Sequence, residues 1–290
     1  MVSTCGNYGT ASQLLFLQNW QATPTCFGYL WYLGLDMQLH FCAPFLLHML
    51  YRNTKRAILL AFTLVGLSVI LRAGHCIFYN VCDQSDVDIP FISYPGQDVA
   101  QSAHIYAGIW ELYARPYTKC GPFILGMLVG FSMSKVKLQI SSALSNAILA
   151  VSLFLAIACI YAILPEYWYP HLGNTLYTVA YTATFRTFFA AVFCIAVLVL
   201  FYRSDRIRVR PIFPVLARLT FNAYLLHMPM VFVMNHLPFL QSAQSPYELV
   251  AVVPIVAILS FLASFVFYLT VESPLGRVSK SILNAAYKSN

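Results

Sequence analysis

The chain has 290 residues, of which 60% are hydrophobic and 9% charged, whereas soluble domains carry about 25% charged residues. A single soluble core cannot hide so much apolar surface, so a soluble globular domain is excluded and the bilayer is the expected solvent. The formal net charge is +7, but the basic residues sit in short clusters between apolar stretches. That pattern belongs to cytoplasmic loops and not to a nucleic-acid surface.

The start of the chain, Met1-Val2-Ser3-Thr4-Cys5-Gly6, has neither a basic n-region nor a clean apolar h-region. No cleavable signal peptide is therefore expected. A spanning helix needs about 20 apolar residues. In chain order such stretches cover 29–50, 57–78, 120–134, 141–164, 181–202, 213–236 and 249–271. The expected fold is an all-α polytopic membrane helix bundle of about seven spans. The third stretch is short and interrupted by Gly121, Pro122, Gly126 and Gly130. Its Gly126 and Gly130 form a GxxxG pattern expected to permit close helix contact.

Loop charges orient the bundle. Arg52, Lys55 and Arg56 follow the first stretch, and Lys135 and Lys137 the third. Arg203, Arg206, Arg208 and Arg210 follow the fifth, and Arg277, Lys280 and Lys288 lie in the tail. The intervening loops carry Asp83, Asp86, Asp88, Asp98 and Glu111, then Glu166 and His171, then Glu248. Basic and non-basic loops alternate, which predicts the N-terminus outside and the C-terminus inside. Trp20, Trp31, Trp110 and Trp168 then all fall on the outer side, as an interfacial belt. The Arg203–Arg210 cluster reads first as a topological signal; the phosphates of a nucleotide-containing donor are its other reading. The long outer loop, 79–119, is expected to hold a short helix over 101–113. Domain bounds follow: 1–28 an outer N-terminal segment, 29–272 the transmembrane domain, and 273–290 a cytoplasmic tail.

Eight cysteines are present. Cys5, Cys26 and Cys82 fall on the oxidising side, with Cys76 and Cys120 near it. One outer disulfide is expected there, with Cys26–Cys82 the chosen pairing. Cys42, Cys159 and Cys194 read as small apolar residues within helices.

Ionisable groups inside spans are costly and mark candidate sites. Five stand out: Asp36 and His40 in the first stretch, Arg72 in the second, Arg186 in the fifth and His227 in the sixth. Asp36 and His40 are four apart and share a helix face. They form either an acid–base pair or a packed polar face. Arg72 and Arg186 either snorkel to outer headgroups, or one of them pairs with Asp36. His227 precedes Met228-Pro229, and either satisfies local backbone groups or lines a cavity.

Four blocks together resemble the acyltransferase 3 family, in its nose resistant to fluoxetine branch. Trp31-Tyr32-Leu33 with Asp36-Met37-Gln38 is similar to its WYL-xx-DMQ signature. Tyr113-Ala114-Arg115-Pro116, continuing through Lys119, Pro122, Gly126 and Gly130, resembles its Y-x-R-P-x-x-R-x-x-P-x-x-x-G-x-x-x-G block. The segment from Leu219 through His227 to Pro229 resembles its LTYxAYLxHxP helix, and Glu272-Ser273-Pro274 its closing E-x-P. The blocks keep family order from about Trp31 to Lys280.

The resemblance implies transfer of acyl groups other than amino-acyl within the membrane. The donor would be acyl-CoA and the acceptor a hydroxyl-bearing lipid or sugar. Membrane lipids are the implied partners; no nucleic acid, metal or bound cofactor is expected. Arg72, Arg115 and Arg186 are the candidate cavity residues, and His227, His40 and Asp36 the candidate catalytic groups. Lys119 stands where the family often has arginine, which keeps the charge but loses the planar fork. The family's usual catalytic histidine lies in an R-x-L-x-x-x-x-V-x-x-x-H block with no counterpart here. The domain is therefore expected to be incomplete on its N-terminal side, a fragment of a longer protein.

The alternative is a non-catalytic transporter or lipid-binding protein on the same scaffold. A seven-span receptor is disfavoured, because the sequence lacks an Asp/Glu-Arg-Tyr at an inner helix end and an Asn-Pro-x-x-Tyr in the last span. The plasma membrane and the endoplasmic reticulum are both compatible locations.

Overall fold

The computed structural model describes residues 6–21, 28–83, 99–169, 173–203, 212–234, 236–237 and 246–288. These form helices α1 (Asn7–Leu14), α2 (Trp31–Arg52), α3 (Thr54–Tyr79), α4 (Val99–Ala114), α5 (Pro116–Lys135) and α6 (Ser142–Tyr161). They continue with α7 (Leu164–Trp168), α8 (Leu176–Tyr202), α9 (Ile212–Met234), α10 (Pro246–Phe267) and α11 (Ser273–Lys288). Among the described residues no strand forms; one isolated bridge joins Ile140 and Arg203.

Seven long helices coincide with the seven apolar stretches, and α4 covers the helix expected over 101–113. Among the described residues five segments are long and apolar enough to cross a membrane: Thr54–Tyr79, Ser142–Trp168, Leu176–Tyr202, Ile212–Met234 and Val252–Ser281. The protein is thus an integral membrane protein.

Local sequence sets the helix ends. Asn53 caps α3, its side chain accepting from the Arg56 amide at 3.3 Å. Ser141 and Thr175 do the same for α6 and α8, accepting from the amides of Leu144 and Thr178, groups that otherwise lack partners at a helix start. Asn80 ends α3 in the left-handed conformation, at φ 54°, which asparagine tolerates better than most residues. Arg115-Pro116 separates α4 from α5. Proline disfavours helical geometry in the residue before it and is itself suited to the first helical turn. Arg115 accordingly is extended, at φ −76° and ψ 138°.

The chain divides into two compact units, Met1–Arg206 and Ile207–Asn290. In the first, α3 is central and packs on α2, α4, α5 and α8, while α8 also packs on α5 and α6. The buried side of α3 carries Ala57, Ala61, Val65, Ser68, Arg72 and Cys76. Their spacing of three or four residues makes one helix face, and mostly small side chains let neighbouring helices approach. One end of this face joins Leu46, Leu50 and Ile124 in an apolar cluster. The other end joins Val81, Cys82 and Leu112.

Two expectations are corrected here. Cys82 pairs with Cys76, not with Cys26. Cys26 itself lies outside the described residues. The six-residue separation closes a short loop around the Asn80 turn, which brings both sulfurs to the same end of α3. Gly126 and Gly130 do not mediate close contact, since a Cβ on either would meet nothing within 4 Å. The close approach in α5 occurs instead at Gly121, where a Cβ would lie 3.3 Å from Thr187 Oγ1.

In the second unit α9 packs on α10, and a π-helical turn, Tyr268–Glu272, leads into α11. Buried Asn222 on α9 donates to Glu272 Oε2 at 2.5 Å. That bond joins two of the sequence blocks, 50 residues apart.

Candidate functional site

The start of α2, the end of α3, α4 and the start of α5 meet at one end of the first unit. A polar network centres there on Gln38 of α2. Its Nε2 donates to the Phe16 carbonyl at 2.6 Å and to Asn19 Oδ1 at 2.8 Å. Its Oε1 accepts from Trp20 Nε1 at 2.8 Å. Gly34, one turn earlier, admits this N-terminal segment: a Cβ there would stand 2.9 Å from Gln18 Oε1 and 3.0 Å from the Phe16 carbonyl.

Asn19 continues the network to the α4–α5 joint. Its Nδ2 donates to the Ala114 carbonyl at 3.1 Å, and its own carbonyl accepts from Arg115 Nη1 at 2.7 Å. Arg115 is buried and grips Glu111 with two donors, Nε to Oε2 at 2.7 Å and Nη2 to Oε1. Tyr117 donates to the same carboxylate at 2.7 Å. Burial works to raise the Glu111 pKa, but the hydrogen bonds from Arg115 and Tyr117 and the charge of Arg115 outweigh it. The carboxyl is held below its ordinary range, the usual result when a carboxylate is bonded in its charged form.

A second cluster lies beside the first. The Lys119 ammonium sits 3.9 Å from the Tyr113 ring centroid and 5.3 Å from that of Trp31. The Arg186 guanidinium lies over the same Tyr113 ring at 4.8 Å and over Phe185 at 5.0 Å. Such contacts stabilise cations through the negative faces of the rings. Lys119 is thus held by ring faces, without the planar fork an arginine would offer.

Arg72 is 1% exposed, so it does not snorkel. Its Nε donates to the Ser68 carbonyl at 3.4 Å and its Nη2 to Thr187 Oγ1. Its Nη1 is buried and has no hydrogen-bond partner among the described residues. A partly open cavity of about 30 Å³ is lined by Arg72, Val81, Leu112, Tyr113, Thr182 and Arg186, among others. Asp36 pairs with neither arginine among the described residues; its partner is His40.

The two candidate histidines share one arrangement. His40 Nδ1 lies 2.9 Å from the Asp36 carbonyl and 3.3 Å from its carboxylate. His227 Nδ1 lies 2.5 Å from the Tyr224 carbonyl. A carbonyl can only accept, so a neutral ring carries its proton on Nδ1 and leaves the Nε2 lone pair free. His40 is exposed on the first unit and packs edge-on to Phe123, while His227 is half-buried within the second.

Sequence reasoning missed Asn19, Gln38, Tyr113, Thr187 and the Asn222–Glu272 bond as site components. Gln38, Tyr113, Asn222 and Glu272 did lie in the recognised blocks. Asn19 and Thr187 have no such signal, since only folding brings them to their partners.

Residues 5–269 match the acyltransferase domain of the acyltransferase 3 family. The chain is 53% identical over 279 residues to the regulator of hypoxia-inducible factor 1 of Caenorhabditis elegans, covering 96% of this chain and 56% of that protein. It is 24% identical over 305 residues to nose resistant to fluoxetine protein 6 of the same organism, covering 96% of this chain and 35% of that one. The chain thus spans about half the length of one curated relative and a third of the other. No solved structure matches it.

Proposed function

The chain belongs to the acyltransferase 3 family, and from that premise we propose that it takes part in moving an acyl group, other than amino-acyl, from acyl-CoA to a hydroxyl-bearing lipid or sugar within the membrane. One observation carries the reading: two blocks far apart in sequence converge at one end of the first unit. Trp31 and Gln38 of α2, Tyr113 of α4, and Arg115 and Lys119 at the start of α5 are joined there by the contacts given above. Seven spans with the N-terminus outside are the topology we propose with it, supported by seven long helices among the described residues and by the loop charges.

In the proposed reaction a base takes the acceptor hydroxyl proton as the oxygen attacks the thioester carbonyl. The C–S bond then breaks, and the CoA thiolate leaves and is protonated. His40 and His227 are the candidate bases, each with Nε2 free to accept and Nδ1 fixed by backbone. Asp36 beside His40 would stabilise the imidazolium that forms. Similarity to a regulator of hypoxia-inducible factor 1 adds the proposal that the product feeds hypoxia-response regulation.

The second reading is a non-catalytic transporter or lipid-binding protein. It is favoured by the internal saturation of the polar network: Gln38 bonds Asn19, Trp20 and the Phe16 backbone, while Arg115 bonds Glu111 and the Asn19 backbone. The test is radiolabelled acyl-CoA presented to the full chain in lipid nanodiscs, with His40→Gln and His227→Gln beside it. Label in a lipid or sugar product, lost in one variant, supports acyl transfer and identifies the base. Acceptor or lipid binding with no labelled product supports the second reading.

A further inference from the structure

Among the described residues, the cavity between α3, α4 and α8 gathers basic side chains with no acid set against them. Arg72 comes to it from α3 and Arg186 from α8. Lys119 of α5 adds a third cation across the Tyr113 ring. Among the described residues the ion pairs are Asp36–His40 and Glu111–Arg115, and none reaches these three cations. Buried cations held together repel, and each is costly within a membrane unless an anion or strong acceptor meets it. Arg72 has the most to gain: its fully buried Nη1 lacks a partner.

We propose that this cavity binds the phosphate group of a small phosphate compound or a phospholipid headgroup. Arg72 and Arg186 would be the hydrogen-bond donors and Lys119 a supporting charge. Size and shape both point there. A water needs roughly 10–15 Å³, so a partly open cavity of about 30 Å³ has room for a small oxyanion head. A tetrahedral phosphate offers oxygens in several directions and so serves guanidiniums arriving from two helices. A planar carboxylate suits a single fork. Val81, Leu112 and Phe185 add apolar lining beside Thr182 and Tyr113, and apolar surroundings strengthen charge contacts. The roof is held by the Cys76–Cys82 link, whose Val81 lines the cavity.

This site does not depend on acyl transfer, and its test reads binding alone. The full chain is delipidated in a phosphate-free nonionic detergent, and its melting is followed with four separate probes: inorganic phosphate, dihexanoyl phosphatidic acid, dihexanoyl glycerol and acetate. The expected result is a rise in melting temperature with at least one phosphate probe and none with the glyceride or acetate. Phosphatidic acid acting alone assigns the site to a lipid headgroup; inorganic phosphate acting as well assigns it to phosphate from any source. Arg186→Gln is expected to weaken that binding roughly tenfold or more, the value of one charge-assisted hydrogen bond, and Arg186→Lys to weaken it less. Arg72→Gln is expected to match Arg186→Gln. Should Arg72→Gln fail to fold, the Arg186 pair decides. No shift with either phosphate probe, an equal shift with acetate, or an undiminished shift in Arg186→Gln overturns the proposal.

Discussion

Arg115 donates through Nη1 to the carbonyl of Asn19 at 2.7 Å, across 96 residues of sequence. The same guanidinium clamps Glu111 one turn back. One side chain therefore fastens the N-terminal segment to the break between α4 and α5.

Arg115→Ala is expected to destabilise the protein by about 3–5 kcal/mol, because it leaves the largely buried Glu111 carboxylate without its counter-charge. Arg115→Lys should recover part of the loss, since an ammonium keeps the charge but cannot make the paired contact. Melting of the purified variants in one detergent measures both. An unchanged Arg115→Ala would show the pair to be dispensable.

The pH dependence follows from the lowered Glu111 pKa. A carboxyl with a depressed folded-state pKa contributes stability that is present above its ordinary value of 4.5. That contribution is lost as pH falls through the lower folded-state value. Wild type should exceed Glu111→Gln in melting temperature at neutral pH, and the two curves should converge as the medium is acidified below that range.

Glycine substitutions should separate by position. At Gly34 the added Cβ would press on the Phe16 backbone, and at Gly108 it would collide with Tyr79 Cβ. Alanine at either is expected to cost about 1–3 kcal/mol, as overpacking does. Gly126→Ala meets open space and should be neutral, or more stable by up to about 1 kcal/mol through helix propensity. A thermal comparison of the three variants tests the ordering.

Loss of the Cys76–Cys82 link, in Cys76→Ser/Cys82→Ser, is expected to cost about 2–3 kcal/mol for so short a loop. Because Val81 lies between the two cysteines and also lines the cavity, the same variant should bind phosphate more weakly. Peptide mapping without reduction should find these two cysteines joined to each other. A Cys26–Cys82 peptide would contradict the structure.

Some of this was legible in sequence because membrane helices obey a one-dimensional rule. Runs of apolar residues broken by charged loops locate the helices, and the seven stretches and the helix over 101–113 all reappear. Proline at 116 and asparagine at 53 and 80 mark ends by local backbone preference alone. The blocks around Trp31, Arg115 and Asn222 also marked residues that prove to sit in contact networks.

The pairings were not legible, because a pairing depends on which helices become neighbours and in what rotation. Spacing makes Asp36 and His40 partners, and they are. Nothing in spacing sends Arg72 to Thr187, Arg115 to Asn19, or Asn222 to Glu272. The Gly126–Gly130 pattern permits close packing, yet it faces open space while Gly121 does the work. Cys26 and Cys82 looked equivalent on the outer side, but the left-handed turn at Asn80 brings Cys82 back onto Cys76. Composition thus determined that this protein lives in a membrane, and the order of its apolar runs determined where its helices run. The tertiary structure decided which charges meet, since the cost of burying a charge is settled only by what folding sets against it.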